Sequence, residues 1–342
     1  MSKTVPVEEA VGMVLPHDIT EIVKKSFKGR AFKKGHIITR EDIPYLKRLG
    51  KDNIFVLDLE KDDIHENEAA EKLAQALAGK GTEVYGEPVE GKLSVSAAIT
   101  GVLKIDVDAL CDFNMLGEVM CSTLHTNRIV KQREIVASTR LIPLVTKRQI
   151  VDDAVSIASR NNGIIQVLSI RKVKVGLVIT GNEVFHGRIQ DAFEPVLRKK
   201  LSAIDSETIS VRYAPDDVDR IAKEITTCLE YGADLIVTSG GMSVDPDDVT
   251  RQGIIAAGAK DVVYGTPVLP GAMFLVGYFP DNIPVLGLPA CGMFHNITVF
   301  DLLLPRILSG EKITRKDIAR LGHGGLCQQC KTCHFPACSF GK

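Results

Sequence analysis

Tryptophan is absent from this chain of 342 residues, and aromatic residues reach only 5%. That leaves little material for a base-stacking platform of the kind that single-stranded nucleic acid binds. An excess of one charge is missing too, since 42 Lys and Arg face 43 Asp and Glu, for a net charge of −1. The balance argues against a broad basic surface for nucleic acid. No apolar run approaches the ~20 residues of a membrane helix. The opening MSKTVPVEEAVGM carries charges and no continuous apolar stretch, so it does not read as a signal peptide. The expected location is cytoplasmic, with neither membrane nor nucleic acid as partner. Thiols stay reduced there, so the eight cysteines point to metal or packing rather than disulfides.

What is present centres on Gly232–Thr250, GADLIVTSGGMSVDPDDVT. Asp234–Thr238 is a short apolar, β-rich run that reads as a buried parallel strand. Ser239-Gly240-Gly241 breaks it, as glycine pairs do where the backbone turns or a ligand comes close. Asp245, Asp247 and Asp248 follow, then a helix starting near Val249. In open α/β sheets ligands bind beyond the carboxyl ends of the strands. Backbone N–H groups there suit an anion, whereas three carboxylates need a divalent cation between them and it. The pattern predicts a phosphate-bearing ligand held through Mg²⁺.

The chain divides into an α+β unit (1–60), a middle α+β unit (61–170), an α/β domain (171–310) and a polar helix with a Cys-rich tail (311–342). In the first, Thr39 and Asp42 form an acidic capping box for a helix ending at Gly50. In the second, His65, Glu66 and Glu68 read as a solvated helix start, residues 78–90 as loop, and Leu110–Met120 as helix. The third alternates strand and helix, which predicts a parallel sheet covered on both faces. Its strands are Lys174–Thr180, Glu207–Tyr213, the central run, Asp261–Tyr264, Ala272–Tyr278 and Ile283–Leu288, with Phe294–Leu308 a long apolar helix. Asp191 and Asp216 are candidates both as ligands and as helix caps.

Seven ordered pieces in Lys174–Leu308 carry a resemblance. They are TGNEV (Thr180–Val184), GxIxD (Gly187–Asp191), PDD (Pro215–Asp217), Ala233–Val244, Asp248–Thr250, LPG (Leu269–Gly271) and GLP (Gly287–Pro289). The segment resembles the molybdopterin-binding MoaB/Mog-type domain, and is most similar to the MoeA-like molybdopterin molybdenumtransferases. Gly35–Gly50 resembles a segment that precedes that domain in the same family.

The resemblance implies a three-layer parallel-sheet domain preceded by smaller α+β units. It implies binding of molybdopterin or its adenylate with Mg²⁺, molybdate as second substrate, and dimers or trimers of the chain. The residues it assigns to chemistry are Glu183, Asp216, Asp217 and Asp248. Cofactor contacts fall on Thr180, Gly181, Asn182, Ser239, Gly240, Gly241, Met242, Ser243, Pro270, Gly271 and Pro289. Metal would lie at Asp245, Asp247 and Asp248.

Three family features differ. The N-terminal Asn-Ser-Ala-Met-Asp-Gly-Tyr-Ala segment is absent. The Lys-Pro-Gly-Lys-Pro motif is Leu269-Pro270-Gly271-Ala272-Met273, without either lysine, and lysines are natural partners for an oxyanion. The turn Pro-Gly-Asn-Pro-Val-Ser is Pro289-Ala290-Cys291-Gly292-Met293-Phe294. Cys291, at a turn near a helix start, reads either as a soft metal ligand with a favoured thiolate or as a structural thiol.

The tail runs Cys327-x2-Cys330-x2-Cys333-x4-Cys338. Its four thiols fit Zn²⁺ or an iron–sulfur cluster, against the alternative of a disordered tail with free thiols. Two functions from different classes follow. One is a transferase of molybdenum cofactor biosynthesis that promotes molybdate insertion. The other is a carrier that delivers finished cofactor to a molybdoenzyme client. A third reading is a metal-dependent hydrolase of a nucleotide-linked substrate.

Overall fold

The computed structural model describes residues 2–23, 27–57, 61–243 and 245–342; Val244, last residue of the Ala233–Val244 motif, lies outside them. The chain forms two compact units: residues 1–125 with 130–168, and residues 126–129 with 169–342. Among the described residues no helix is long and apolar enough to cross a membrane.

The first unit joins the two segments that the sequence separates at residue 60. It opens with β1 (Ser2–Pro6), β2 (Ile19–Val23), β3 (Phe27–Phe32), α1 (Asp42–Arg48) and β4 (Asn53–Leu57). These close one core around Val5, Leu15, Leu46 and Ile54. Next come β5 (Asp63–His65), α2 (Glu66–Leu77), β6 (Thr82–Val89), β7 (Lys92–Ala97), β8 (Gly101–Ile105) and α3 (Val107–Met115). The unit ends with β9 (Val119–Thr123), β10 (Ile129–Val130), β11 (Ile135–Leu141), β12 (Val145–Lys147), α4 (Arg148–Ala158) and β13 (Ile165–Leu168). A second core holds Leu73, Leu77, Phe113, Leu141 and Ile165.

Three expectations change here. Residues 82–89 are a strand, at the edge of the sheet β6-β7-β11-β9, and edge strands need no apolar face. The helix expected through Met120 stops at Met115, ahead of Gly117, and its last residues open β9. His65 and Glu66 are buried rather than solvated, at 6% and 5% exposure. The His65 ring reaches the Pro16 carbonyl through Nε2 and the Lys34 ammonium through Nδ1. Nδ1 also accepts from Asn67 N at 3.2 Å, capping α2. This ring links the 1–60 segment to the next, and burial keeps its pKa low, in the neutral form that can accept from lysine. Cys121 is a core thiol, pushed up to about 12 by burial, whereas Cys111 is exposed.

In the second unit the elements are β14 (Lys174–Thr180), α5 (Asn182–Phe185), α6 (Phe193–Ser202), β15 (Glu207–Ala214), α7 (Val218–Glu230), β16 (Leu235–Ser239) and α8 (Thr250–Ala256). They continue through β17 (Lys260–Tyr264), β18 (Leu275–Tyr278), β19 (Pro284–Leu288), α9 (Val299–Leu308) and α10 (Arg315–Arg320). The six-stranded sheet has the order β15-β14-β16-β19-β18-β17. One face packs Val175, Leu177 and Ile179 with α6 and α9 residues such as Leu201 and Leu303. The other packs Val178 and Ile236 with Ile221 and Ile225 of α7 and Ile254 of α8. Three layers result, as expected.

The sheet is mixed, however. β18 is antiparallel to β19, and β17 to β18. Only five residues join β18 to β19, far fewer than a parallel crossover needs. The helix expected over Phe294–Leu308 begins at Val299. Thr298 and Asp301 supply a capping box there, with Thr298 N donating to Asp301 Oδ2 at 2.8 Å.

β14 is tied to its neighbour by a side chain as well as by the ladder. The buried Thr180 hydroxyl lies 3.0 Å from the Ser239 carbonyl and 2.7 Å from Thr250 Oγ1. Thr180→Val keeps the shape and deletes both contacts, so it is expected to destabilise the protein by about 1–3 kcal/mol. Thr180→Ser should recover most of the loss. Thermal melting reads both, and an unchanged midpoint for the Val variant would rule the tie out.

Candidate functional site

Parallel pairing brings the sequence motifs to one edge. Thr180 registers with Ala214, Ile179 with Ser239, and Ser239 with Leu288. Four strands therefore end level. The segments that follow are Gly181-Asn182-Glu183, Pro215-Asp216-Asp217, Gly240-Gly241 and Pro289, which lie side by side beyond the carboxyl ends.

The glycine turn after β16 is forced by space. Gly240 and Gly241 hold φ of +88° and +55°. A Cβ on Gly240 would lie 2.3 Å from the Thr180 carbonyl, and one on Gly241 would lie 2.4 Å from Thr250 Oγ1. Only glycine lets the turn sit on these two threonines. Thr250 N closes it by donating to the Gly241 carbonyl at 3.2 Å.

Beside the turn is a cavity of about 260 Å³, lined by Gly241, Met242, Ser243, Asp245, Asp248, Arg251, Gln252 and Tyr264. Sequence reasoning missed its one cation and its aromatic wall. The Arg251 guanidinium stands 5.0 Å from the Tyr264 ring centroid, a stacking distance. The Tyr264 hydroxyl donates to the Met242 carbonyl at 2.6 Å, with Met273 Sδ at 3.2 Å. Arg315 holds the other side of Tyr264 by donating to its carbonyl at 2.7 Å. Arg251 is one residue beyond the Asp248–Thr250 motif, and no spacing rule singles it out.

The acidic residues divide. Asp217 caps α7 by accepting from Arg220 N at 2.9 Å. Asp191 caps α6 by accepting from Phe193 N at 2.8 Å and Glu194 N at 3.1 Å. Asp216 is not a cap. Its Oδ2 accepts from Asn182 N at 2.9 Å, while Asn182 Oδ1 accepts from Asp216 N at 3.3 Å. This exchange couples the loop after β14 to the loop after β15. Burial raises the Asp216 pKa against the pull of the Asn182 N–H, and the carboxylates of Glu183, Asp248 and Asp247 push it further up. Asp245 and Asp247 are exposed, and Asp248 is half-buried.

Among the described residues no three His, Cys, Asp or Glu are gathered as ligands of one ion. The carboxylates that bear on Asp216, those of Glu183, Asp247 and Asp248, do not form such a set.

Several expected cofactor contacts sit elsewhere. Thr180, Gly181, Ser239 and Gly240 lie at or beneath the turn; Thr180 and Ser239 are buried, and the Ser239 hydroxyl has no hydrogen-bond partner among the described residues. Pro270 and Gly271 are buried, not on the cavity wall. Leu269 before them is occupied by the tail: its N–H donates to the Gly325 carbonyl and its carbonyl accepts from Cys327 N, both at 2.8 Å. Burial raises the Cys291 pKa, which works against a favoured thiolate.

Residues 176–309 match a family described as a probable molybdopterin binding domain, and residues 4–58 match a domain of unknown function. A CinA-like protein of Thermosipho melanesiensis is 31% identical over 108 residues, covering 32% of this chain and 27% of that protein. The molybdopterin molybdenumtransferase of Haemophilus influenzae is 29% identical over 163 residues, covering 45% of this chain and 40% of that protein. The chain thus spans less than half the length of either relative. Similar solved structures include MoaB of Thermus thermophilus, 18% identical, with 41% of this chain and 98% of that chain covered and a TM-score of 0.32. Another is the Mog protein of Mycobacterium ulcerans, 18% identical, with 40% and 97% covered and a TM-score of 0.35.

The raised Asp216 pKa has a definite sign. The folded protein holds that proton more tightly than the unfolded chain, so the charged carboxylate costs stability at neutral pH. The cost fades as pH falls through the raised value toward the ordinary one. Asp216→Asn keeps the acceptor for Asn182 N and removes the charge. It is expected to melt above the parent at neutral pH, with the gap closing in acid and with added Mg²⁺. Melting curves across pH, with and without Mg²⁺, check this; a lower midpoint for Asp216→Asn at neutral pH would contradict it.

Proposed function

We propose that this chain, whose residues 176–309 match a probable molybdopterin binding domain, acts in molybdenum cofactor biosynthesis. It binds molybdopterin or its adenylate with Mg²⁺ and promotes molybdate insertion. The observation that carries this reading is the cavity beside Gly241, where the Arg251 guanidinium and the carboxylates of Asp245 and Asp248 line one space beyond the carboxyl end of a parallel strand. In this reading Arg251 takes the phosphate as a charge-assisted partner. The turn at Gly241–Ser243 admits it close to the backbone. Asp248 with Glu183 or Asp216 provides one or two carboxylates for Mg²⁺, which when bound neutralises the phosphate and polarises the bond to be cleaved.

The carrier reading has a specific observation in its favour. Where molybdenumtransferases resemble one another in two lysines, this chain has Leu269 and Ala272, and Leu269 is spent on binding the tail. A chain that keeps the cofactor cavity without those cations would hold finished cofactor and pass it to a client molybdoenzyme.

One set of measurements separates these readings. The protein is purified anaerobically from a cofactor-making host and assayed for pterin fluorescence after oxidation, for molybdenum, and for molybdate-dependent turnover. Arg251→Ala is expected to weaken pterin-phosphate binding roughly 10- to 100-fold, the loss of one charge-assisted hydrogen bond. Alanine at Glu183 and Asp248 should abolish turnover while leaving binding measurable. Full turnover in both variants rejects the transferase, and tight binding of finished cofactor without turnover selects the carrier. Absence of pterin, with Mg²⁺-dependent cleavage of a nucleotide-linked substrate, moves the chain to the hydrolase reading.

A further inference from the structure

The tail is built into the second unit rather than appended to it. The parallel bridge between Leu269 and Leu326 fixes the entry to the cysteine run. Phe340 fixes the exit, 4% exposed in the core that holds β14 and α9, and Gly341 N donates to the Gly324 carbonyl at 3.0 Å. Between these anchors the chain borders a cavity of about 540 Å³. All four tail cysteines line it, together with His334 and Phe335.

Packing explains only half of these thiols. Cys327 and Cys338 are half-buried against the core, as small apolar side chains are. Cys330 and Cys333 are exposed, and all eight cysteines of the chain are free thiols, so neither burial nor a disulfide accounts for this pair. Their place in the spacing does. Two successive x2 gaps separate Cys327, Cys330 and Cys333, and Cys338 follows the turn closed by Ala337 N on the His334 carbonyl at 2.7 Å.

We infer that this cavity is the site of an iron–sulfur cluster ligated by Cys327, Cys330, Cys333 and Cys338. Among the described residues the thiols are not gathered as ligands of a single ion. The four instead share the lining of one cavity of about 540 Å³, many times the volume of an ion. A structural zinc site draws four sulfurs to ~2.3 Å from one point and needs no cavity. A cluster needs room, an apolar wall and thiolates from a closely spaced run, and Phe335 supplies part of the wall. The anchored ends set Cys327 and Cys338 in place, and the exposed stretch between them carries the other two ligands, Cys330 and Cys333. Assembly forms four Fe–S(Cys) bonds and releases the four thiol protons to solvent; four ferric ions and four sulfides give a cluster of two ferric and two ferrous irons, the two electrons coming from an external thiol that becomes its disulfide. Iron and inorganic sulfide come from outside the chain. The inference does not depend on the pterin reading, since none of these residues lines the cavity beside Gly241.

The test is anaerobic reconstitution of the full chain with ferric iron, sulfide and a thiol reductant. It is followed by gel filtration and measurement of iron, acid-labile sulfide and visible charge-transfer absorption. Iron and sulfide are expected in equal amounts. The double variant Cys330→Ser with Cys333→Ser should lose both at least tenfold, while its unreconstituted form melts with the parent because the positions are exposed. Cys111→Ser, exposed in the first unit, should retain the full cluster. Iron and sulfide kept by the double variant, or none bound by the parent, would overturn the inference. So would stoichiometric zinc that resists replacement by iron.

Discussion

Everything at the candidate site depends on four parallel strands ending level. β14, β16 and β19 are buried on both faces or nearly so, β15 flanks them as a half-buried edge, and their ladders pair Thr180 with Ala214, Ile179 with Ser239 and Ser239 with Leu288. A slip of one residue in any strand would move an apolar set from one core to the other, so the register is strongly specified. The glycine turn rests on it, because Gly240 and Gly241 sit on Thr180 and Thr250 without room for a side chain. The cavity rests on the turn. Chemistry is thus placed by hydrophobic burial several residues away from any charged group.

Given that edge, the charges are in tension. Asp216 faces Glu183, Asp247 and Asp248, while the Arg251 guanidinium lies against Tyr264. Such an arrangement stores electrostatic cost in the free protein and releases it when a ligand brings the missing charge. The exchange between Asn182 and Asp216 keeps the cost from being relieved by loop movement, since each loop satisfies the other's backbone.

The second unit was legible where local chemistry is strict. Glycine pairs, Asp caps and apolar runs mark β14, β16, α7 and the turns at their ends, and the structure has them within a residue or two. Direction of the edge strands was not legible, because an apolar run reads alike in either sense and only the short link after β18 decides it. β6 was hidden by its exposed, Gly- and Pro-containing sequence. Arg251 and Tyr264 come together from α8 and β17, a contact that no spacing in the chain encodes. In the first unit, His65 and Glu66 look like any polar helix start. Their burial comes from Pro16 and Lys34, residues 49 and 31 positions away. Leu269-Pro270-Gly271 carries a family motif, and its first residue also pairs with the tail.

That reception sets an order in time. β14 begins at residue 174, and its core is not complete until Phe340 packs beneath α9. During synthesis the sheet must therefore wait, its apolar face incompletely covered, while about 160 further residues are delivered at about 5–20 residues per second. Contacts so far apart in sequence make for slow closure. The cysteine run is the last thing to arrive before that closure, so the nascent domain is sealed by the same segment that carries its thiols.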